Sequence, residues 1–491
     1  MKSFTKIKAH HFQYTYLLLL AASITCVSLV SCTKFVETDP PVNSTNGANV
    51  FENDATAIAA LTGIYARMSN SDVISGNSGI AMLTGLSGDE LSLWNGVTQG
   101  KHVAYYANSL VSTTSLSYGT EFWAPMYNFI FQCNAAIEGV NGSVGLTQGV
   151  KEQLLGEAKF LRAFFYFYLA NFYGDVPLVL ITDPNTTSSL PRSTIVDVYQ
   201  QIVADLQDAK TLLKDYYVDP SLKTNTEERV RPNKWAAAAL LARAYLYIGD
   251  YENAEKEASA IIANTGLYNL GDLEEVFLKN NSEAIWQLQP VRIDRNTEEA
   301  FAFIIPVTGP SQPNGALGNP AYLSDTLLHS FEPGDLRATH WIQHITIGTE
   351  TYYYPYKYKS AELGAPVTEY LTLFRLTEVF LIRSEANAHR GLLEQSLSDL
   401  NLIRQRAGLL PISSPDESNL LDKIMRERMH ELFTESGHRW FDLKRTGNLD
   451  SLMQIIAPMK GAAWQITDQL YPIPLSDILR NGNLIQNAGY E

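Results

Sequence analysis

Cysteine is scarce in this chain of 491 residues, which contains three: Cys26, Cys32 and Cys133. A disulfide framework needs pairs of cysteines that remain in the mature protein. Cys26 lies in an amino-terminal segment with the character of a targeting signal, and Cys32, at the end of that segment, would be lipidated, so Cys133 would be the only free thiol after processing. We therefore expect no intramolecular disulfide.

Positive charge is also in short supply. The chain has 37 lysines and arginines against 52 aspartates and glutamates, which gives a formal net charge of -15. Lys2, Lys6 and Lys8 lie in the targeting segment, so a processed chain would be more acidic still. This balance argues against nucleic acid or an anionic membrane surface as a partner, and it says little about a neutral ligand.

A membrane-spanning apolar run is missing as well. The run at residues 16–29 is too short to cross a bilayer comfortably, and it follows a basic start and leads into a Leu-Val-Ser-Cys sequence that matches a bacterial lipobox. We predict a lipoprotein signal peptide at residues 1–31, lipidation of Cys32, and a lipidated tether rich in Pro, Asn, Thr and Ser at residues 32–50. The alternative is an ordinary signal peptide that is cut nearby.

Recognisable catalytic and metal-binding patterns are not found. His340 and His344 have the spacing of helical metal ligands, but the glutamate that a zinc hydrolase places beside its first histidine is missing. The residues that follow, Ile345, Thr346 and Ile347, favour a strand, and no third ligand is visible. We predict no catalytic residue, no metal and no cofactor.

A charged cluster near the carboxyl terminus could suggest acid–base catalysis, but structural ion pairing explains it better. On a helix, Arg428 lies three residues from Glu431, and Glu435 lies four residues from Arg439. Such pairs can hold a helix–loop junction without any substrate. The cluster comprises Arg426, Glu427, Arg428, Glu431, Glu435, Arg439 and Asp442.

Helical periodicity is abundant, above all from Gly156 to Leu180. Phenylalanines and tyrosines recur there at three- and four-residue steps, which predicts a buried helix of about five turns. Gly174 and Pro177 mark its end, because glycine can cap a helix in the left-handed conformation and proline cannot continue one. Further helices are predicted at residues 55–66, 121–140, 195–213, 232–248, 250–262, 371–390, 393–407 and 420–434.

Two segments repeat one pattern of small residues, which is typical of tetratricopeptide-like helical pairs. Because the copies are far apart in sequence, they cannot be adjacent in one stacked array, and we expect an insertion between them. The copies are Ala244, Gly249 and Gly266, and Ala386, Gly391 and Gly408.

The insertion covers about residues 270–368. Strand segments are predicted at residues 285–288 and 352–358, and a loop rich in glycine and proline at residues 306–320. The predicted fold is mainly α, with tetratricopeptide-like helical pairs and an irregular insertion of loops and short strands, in a single domain at residues 51–491.

A set of short motifs runs through the chain in a recognisable order. The set comprises the lipobox, Trp123-x-x-x-Tyr127, Phe160-Leu161-Arg162-Ala163, Tyr173-Gly174-Asp175-Val176-Pro177-Leu178, and segments at residues 375–379, 385–388, 401–408, 426–432, 437–443, 471–474 and 483–490. In order and spacing the set resembles the SusD/RagB family of surface lipoproteins. One departure is Ala488, where that family commonly has proline.

The resemblance implies a nutrient-binding lipoprotein of the Bacteroidetes outer membrane that faces outward as a lid on a SusC-like TonB-dependent transporter. The usual ligands of the family are oligosaccharides, with peptides in the RagB branch. The resemblance also implies that the ligand surface is built from loops in the first third of the chain and from the insertion.

Both regions hold aromatic residues within polar sequence. A glycan site needs this combination, because sugar rings pack their C–H faces on aromatic rings while their hydroxyl groups need polar partners. We predict ligand contacts from Asp89, Trp94, Asn95, Tyr322, Trp341 and Tyr354. The alternative for Trp94 and Trp341 is that each is a core residue beneath a long loop. Strand alternation would place Tyr352, Tyr354, Tyr356 and Tyr358 on one face.

Three other functions stay open. The same scaffold could bind peptides. A glycoside hydrolase would need a carboxylate pair such as Asp89 with Glu90, or Glu298 with Glu299, although neighbours in sequence rarely face one another across a bond. The helical pairs could serve protein binding alone, and we expect them to contact the transporter or to pack inward.

Overall fold

A computed structural model describes residues 49–315, 317–413 and 417–490 of the chain; residues 1–48, with the predicted signal peptide, Cys32 and most of the tether, lie outside these ranges. No helix in the described ranges has the length and apolar content to cross a membrane. The helices up to residue 262 are α1 (Asp54–Ser69), α2 (Ile80–Ser87), α3 (Gly100–Tyr106), α4 (Trp123–Gly142), α5 (Gln148–Tyr173), α6 (Pro184–Thr187), α7 (Ile195–Leu212), α8 (Lys234–Tyr247) and α9 (Tyr251–Ile262). The later helices are α10 (Glu298–Phe303), α11 (Asp325–Leu328), α12 (Leu336–His340), α13 (Leu376–His389), α14 (Leu393–Arg406), α15 (Glu417–Leu432), α16 (His438–Arg445), α17 (Leu449–Met459) and α18 (Leu475–Arg480). The strands are β1 (Leu91–Leu93), β2 (Val111–Ser112), β3 (Ser117–Tyr118), β4 (Ala284–Leu288), β5 (Ala321–Leu323), β6 (Ile342–Ile347), β7 (Glu350–Pro355) and β8 (Leu371–Arg375).

Helix α5 is buried as its aromatic periodicity predicts. Every phenylalanine and tyrosine in it is at most 1% exposed, and Phe165 stacks on Phe129 of α4 with ring centroids 4.6 Å apart. Arg162 also lies inside and forms a two-pronged ion pair with Asp205 of α7, at 2.8 and 2.7 Å. The helix ends at Gly174, whose φ of 72° lies in the left-handed region. The predicted end is therefore confirmed.

The two tetratricopeptide-like pairs are α8 with α9 and α13 with α14. Ala244 and Ala386 have no exposed surface, as expected for small residues where helices cross. Helix α9 of the first pair packs on α13 of the second, where the rings of Tyr251 and His389 stack at 4.0 Å. The expectation that the pairs are not adjacent is therefore wrong, because the chain returns from the insertion and brings the distant copies together.

Two strands of the insertion region, β4 and β5, pair with partners that are distant in sequence, while β6 and β7 pair with each other. Strand β4 confirms the prediction at residues 285–288 and pairs antiparallel with β8. The helix predicted at residues 371–390 begins only at Leu376, since the five residues before it form β8. Pairing with β4 overrides the helical periodicity there. The strand predicted at residues 352–358 continues only to Pro355, where β7 ends.

A buried ion-pair network centred on Glu431 joins the insertion to the helical pairs. The Glu431 carboxylate accepts hydrogen bonds from Arg337 of α12 at 3.0 Å and from Arg375 of β8 at 2.7 Å, and it also binds Arg406 of α14. Lys357, beyond β7, donates to the backbone carbonyl of Glu431 at 2.8 Å. Elements that are far apart in sequence thus meet at one residue of α15.

The carboxy-terminal cluster forms ion pairs, but with partners other than the nearest neighbours. Arg428 pairs with Asp442 at 2.7 Å, and Arg439 binds Asp89, far away in sequence, at 2.8 Å. Sequence spacing identifies neighbours on one helix. Most of the side chains of the cluster are buried and point toward different elements, so the fold decides their partners.

The cations of the network oppose its protonation. Burial alone would favour neutral Glu431, but Arg406 and Arg375 outweigh it and hold the pKa of Glu431 well below its usual range. At Glu435, burial is likewise outweighed by Arg375 and Lys357, which lower its pKa. Both carboxylates are therefore charged at neutral pH.

Replacing Glu431 by glutamine should lower the free energy of unfolding by about 3–5 kcal/mol, because buried guanidinium groups lose their counter-charge. Urea denaturation followed by circular dichroism measures this loss. Glu255→Gln is the matched control: it breaks a partly exposed pair with Arg390 and should cost at most about 1 kcal/mol. Equal losses in the two variants would contradict the special role of the network.

Stability should also decline in acid. Glu431 and Glu435 have lower pKa values in the folded protein than the ordinary value of 4.5 that applies to the unfolded chain. As the pH falls, the unfolded chain therefore takes up protons before the folded protein does. The contribution of these carboxylates to the free energy of unfolding is complete above pH 4.5 and decreases as the pH falls below that value. Thermal unfolding from about pH 6 to about pH 3 should show the decline, with a shallower slope for Glu431→Gln. Identical slopes would mean that other groups control acid unfolding.

Candidate functional site

Strands β1 and β5 bring the loop after α2 against the insertion. They pair antiparallel with Ser92 opposite Tyr322, and the backbone N–H of Trp94 donates to the carbonyl of Pro320 at 2.8 Å. Since side chains alternate along a strand, Ser92, Trp94 and Tyr322 share one face. Both neighbours of Tyr322 within β5 are fully buried on the other side.

The β6–β7 hairpin extends this face with two more tyrosines. In β7, Glu350, Tyr352 and Tyr354 alternate onto one side. The rings of Tyr322 and Tyr352 meet edge to face, with their centroids 5.2 Å apart. Gln343 of β6 lies opposite Tyr354, which places its exposed amide beside that ring.

Tyr106 of α3 completes the group on the side of β1. Its hydroxyl interacts with the side chain of Ser92 and lies close enough to Tyr322 to act on it electrostatically. Lys460 lies 4.9 Å from the centre of the Tyr106 ring and donates to carbonyls in the last turn of α2 at 2.6 and 3.2 Å. We call the five residues Trp94, Tyr106, Tyr322, Tyr352 and Tyr354 the aromatic platform.

The indole of Trp94 lies back over Gly96. A side chain at position 96 would collide with the ring, so the glycine leaves the space that the indole occupies. Gln312 of the insertion fastens this loop, because it donates to the carbonyl of Gly96 and to the hydroxyl of Thr98, the latter at 3.1 Å. Asn95 is exposed at the tip.

The hydroxyls of Tyr106, Tyr322 and Tyr354 are protonated at neutral pH. Burial raises the pKa of Tyr106, Tyr322 and Tyr354 above the ordinary value. Each phenol can donate and accept a hydrogen bond while its ring offers an apolar face. The arrangement can therefore bind a molecule that presents apolar faces and hydroxyl groups together.

Four of the predicted contact residues lie at this surface. Trp94, Tyr322 and Tyr354 are partly exposed members of the platform, and Asn95 is exposed beside Trp94. The loop that follows α2 in the first third of the chain is far from the insertion in sequence, and the pairing of β1 with β5 brings the two together here.

The structure contradicts the predicted ligand contacts of Trp341 and Asp89. Trp341 has no exposed surface: its indole N–H donates to the carbonyl of Leu273 at 2.9 Å, and its ring packs 4.9 Å from the ammonium group of Lys357. Asp89 is 3% exposed, and its two carboxylate oxygens accept hydrogen bonds from Arg439 at 2.9 and 2.8 Å. Trp341 supports the hairpin and Asp89 positions β1, so neither offers a surface to a ligand.

Two platform members, Tyr106 and Tyr352, are absent from the predicted contacts. Strand alternation already groups Tyr352 with Tyr354, so that signal could have identified it. Tyr106 lies in a short helix, and only the fold brings it beside Ser92.

Of the carboxylates considered for catalysis, Asp89, Glu90 and Glu299 are buried, and Glu298, which is partly exposed, forms ion pairs with Arg292 and Arg295. Glu90 and Glu299 are at most 4% exposed, and burial raises the pKa of each to about 8. Each accepts a backbone hydrogen bond, from Thr434 at 3.1 Å and from Gly76 at 2.6 Å. Over the ranges that the structure describes, no group of three or more histidine, cysteine or acidic side chains is arranged to hold a metal ion.

Family comparisons agree with this architecture. A family model described as "Starch-binding associating with outer membrane" matches residues 58–246, and a model described as "SusD family" matches residues 186–490. SusD-like protein P2 of Formosa agariphila is 25% identical to the chain, over 98% of this chain and 99% of that protein.

Solved structures share the fold. Surface glycan-binding protein A from Bacteroides uniformis superposes with a TM-score of 0.74 at 17% identity, over 89% of this chain and 99% of that one. A laminarin-binding SusD-like protein superposes with a TM-score of 0.71 at 22% identity, over 89% and 100% of the two chains. Because the SusD model spans more than half of the sequence, the chain belongs to the SusD/RagB family, whose members associate with the outer membrane.

Proposed function

We propose that the aromatic platform binds a glycan. The observation that carries this proposal is the position of Tyr322, which meets Tyr352 edge to face and lies opposite Ser92 on a partly exposed surface. This arrangement places aromatic rings, which can pack on the C–H faces of a sugar, beside hydroxyl and amide groups, which can bind its hydroxyl groups. The same ligand class is supported by two fold relatives, one named as laminarin-binding and one as a surface glycan-binding protein.

In this proposal the protein captures its ligand at the cell surface and does not transform it. A lipid on Cys32 anchors the chain in the outer membrane, and residues 32–50 form the tether. The captured oligosaccharide passes to a SusC-like TonB-dependent transporter. The outer-membrane description of the family supports the location. Burial of Glu90 and Glu299 supports binding without catalysis.

Tyr322→Ala and Tyr352→Ala should each weaken glycan binding about tenfold, because each removes a ring face worth roughly 1.4 kcal/mol. Calorimetric titration or affinity electrophoresis with laminarin, starch and a panel of plant and host glycans measures the change. Tyr216→Ala removes an exposed tyrosine outside the platform and is the matched control, with unchanged binding. No binding of any glycan to the wild type, together with peptides copurified from the native membrane, would favour a peptide ligand instead.

Gly96→Ala should weaken binding without touching a ligand, because the new methyl group displaces the Trp94 indole. Acrylamide quenching of tryptophan fluorescence should rise in this variant as the indole moves, in parallel with the loss of affinity. Gly142→Ala is the control, since a Cβ there meets no neighbouring atom. A displaced indole with undiminished affinity would remove Trp94 from the binding surface.

A further inference from the structure

Two acidic side chains stand at the edge of the aromatic platform. Glu350 shares the face of Tyr352 and Tyr354 in β7, and Asp325 follows Tyr322 at the start of α11. Both are exposed, and both add to burial in raising the pKa of Tyr322. Within the described part of the chain, neither carboxylate forms an ion pair.

The cations near the platform are already engaged. Lys460 donates to the carbonyls at the end of α2, and Lys101 of α3 binds a serine hydroxyl. Lys359 pairs with a glutamate, and Lys357 is 4% exposed and held by two backbone carbonyls at 2.8 Å. His344 lies on the opposite face of the hairpin, beside Tyr353.

We infer that the platform selects uncharged saccharides and discriminates against those that carry uronate or sulfate groups. This inference rests on the proposed glycan-binding function. An anionic group near Tyr322 would meet two like charges, and the neighbouring ammonium groups are occupied elsewhere. It would also lose hydration, and the ammonium group of Lys460 already donates its hydrogen bonds to the carbonyls of Leu86, Ser87 and Gly88. A neutral sugar meets neither penalty, so Asp325 and Glu350 determine specificity.

The test compares laminarin, or the neutral glycan of the panel that binds best, with its own carboxymethyl derivative. Backbone and linkage are thereby matched. Titration in low salt with EDTA removes divalent cations that could bridge two carboxylates. The wild type should bind the carboxymethyl form at least about threefold more weakly, and Asp325→Asn/Glu350→Gln should reduce this preference by about three- to tenfold. Salt at roughly 0.5 M should reduce it as well.

Asp272→Asn/Glu362→Gln is the matched control, because it removes two exposed carboxylates of the insertion that are outside the platform. It should leave the preference unchanged. Equal binding of both polysaccharides by the wild type, or equal effects of the two double variants, would overturn the inference while the proposed function stands. Failure to bind any glycan would overturn the proposed function itself.

Discussion

The charge network around Glu431 is the constraint on which the rest of the structure depends. A carboxylate with no exposed surface is tolerated here because three guanidinium groups surround it, from Arg337, Arg375 and Arg406. Each belongs to a different element, and removal of any one leaves buried charge without its full complement. The insertion, whose strands are short, is thus fixed to the helical pairs by directional contacts as well as by apolar packing.

The network reaches the aromatic platform through Lys357. This lysine lies two residues beyond β7, and the carbonyls of Glu431 in α15 and of Phe433 just after it hold its ammonium group while Trp341 packs against it. The hairpin that carries two platform tyrosines therefore ends on a buried, fully engaged cation. On the other side, the pair between Asp89 and Arg439 fixes β1. Both halves of the platform are held from beneath by buried ion pairs, which leaves their outer faces to tyrosine, tryptophan and amide groups.

Local sequence signals predict the helices because a helix buries a face that its own residues define. The periodicity of α5 and its end at Gly174 are examples. Local sequence signals cannot identify a partner that lies far away in the chain. Residues 371–375 therefore fit a helical pattern and yet form a strand that pairs with β4. Trp94 and Trp341 show the same limit at the site. Both are tryptophans within polar sequence, but only the fold brings a cation and a backbone acceptor to Trp341 and buries it.

The fold engages part of the scarce positive charge of the chain inside the protein. Four arginines, Arg243, Arg337, Arg375 and Arg428, are among the largest fully buried side chains, and each pairs with acidic groups inside the protein. Those four guanidinium groups are therefore engaged inside the protein and unavailable to a ligand at its surface. Neutral phenol and amide groups on the platform can still hold a hydroxyl-rich ligand, because they bind through hydrogen bonds and ring contacts that need no counter-charge.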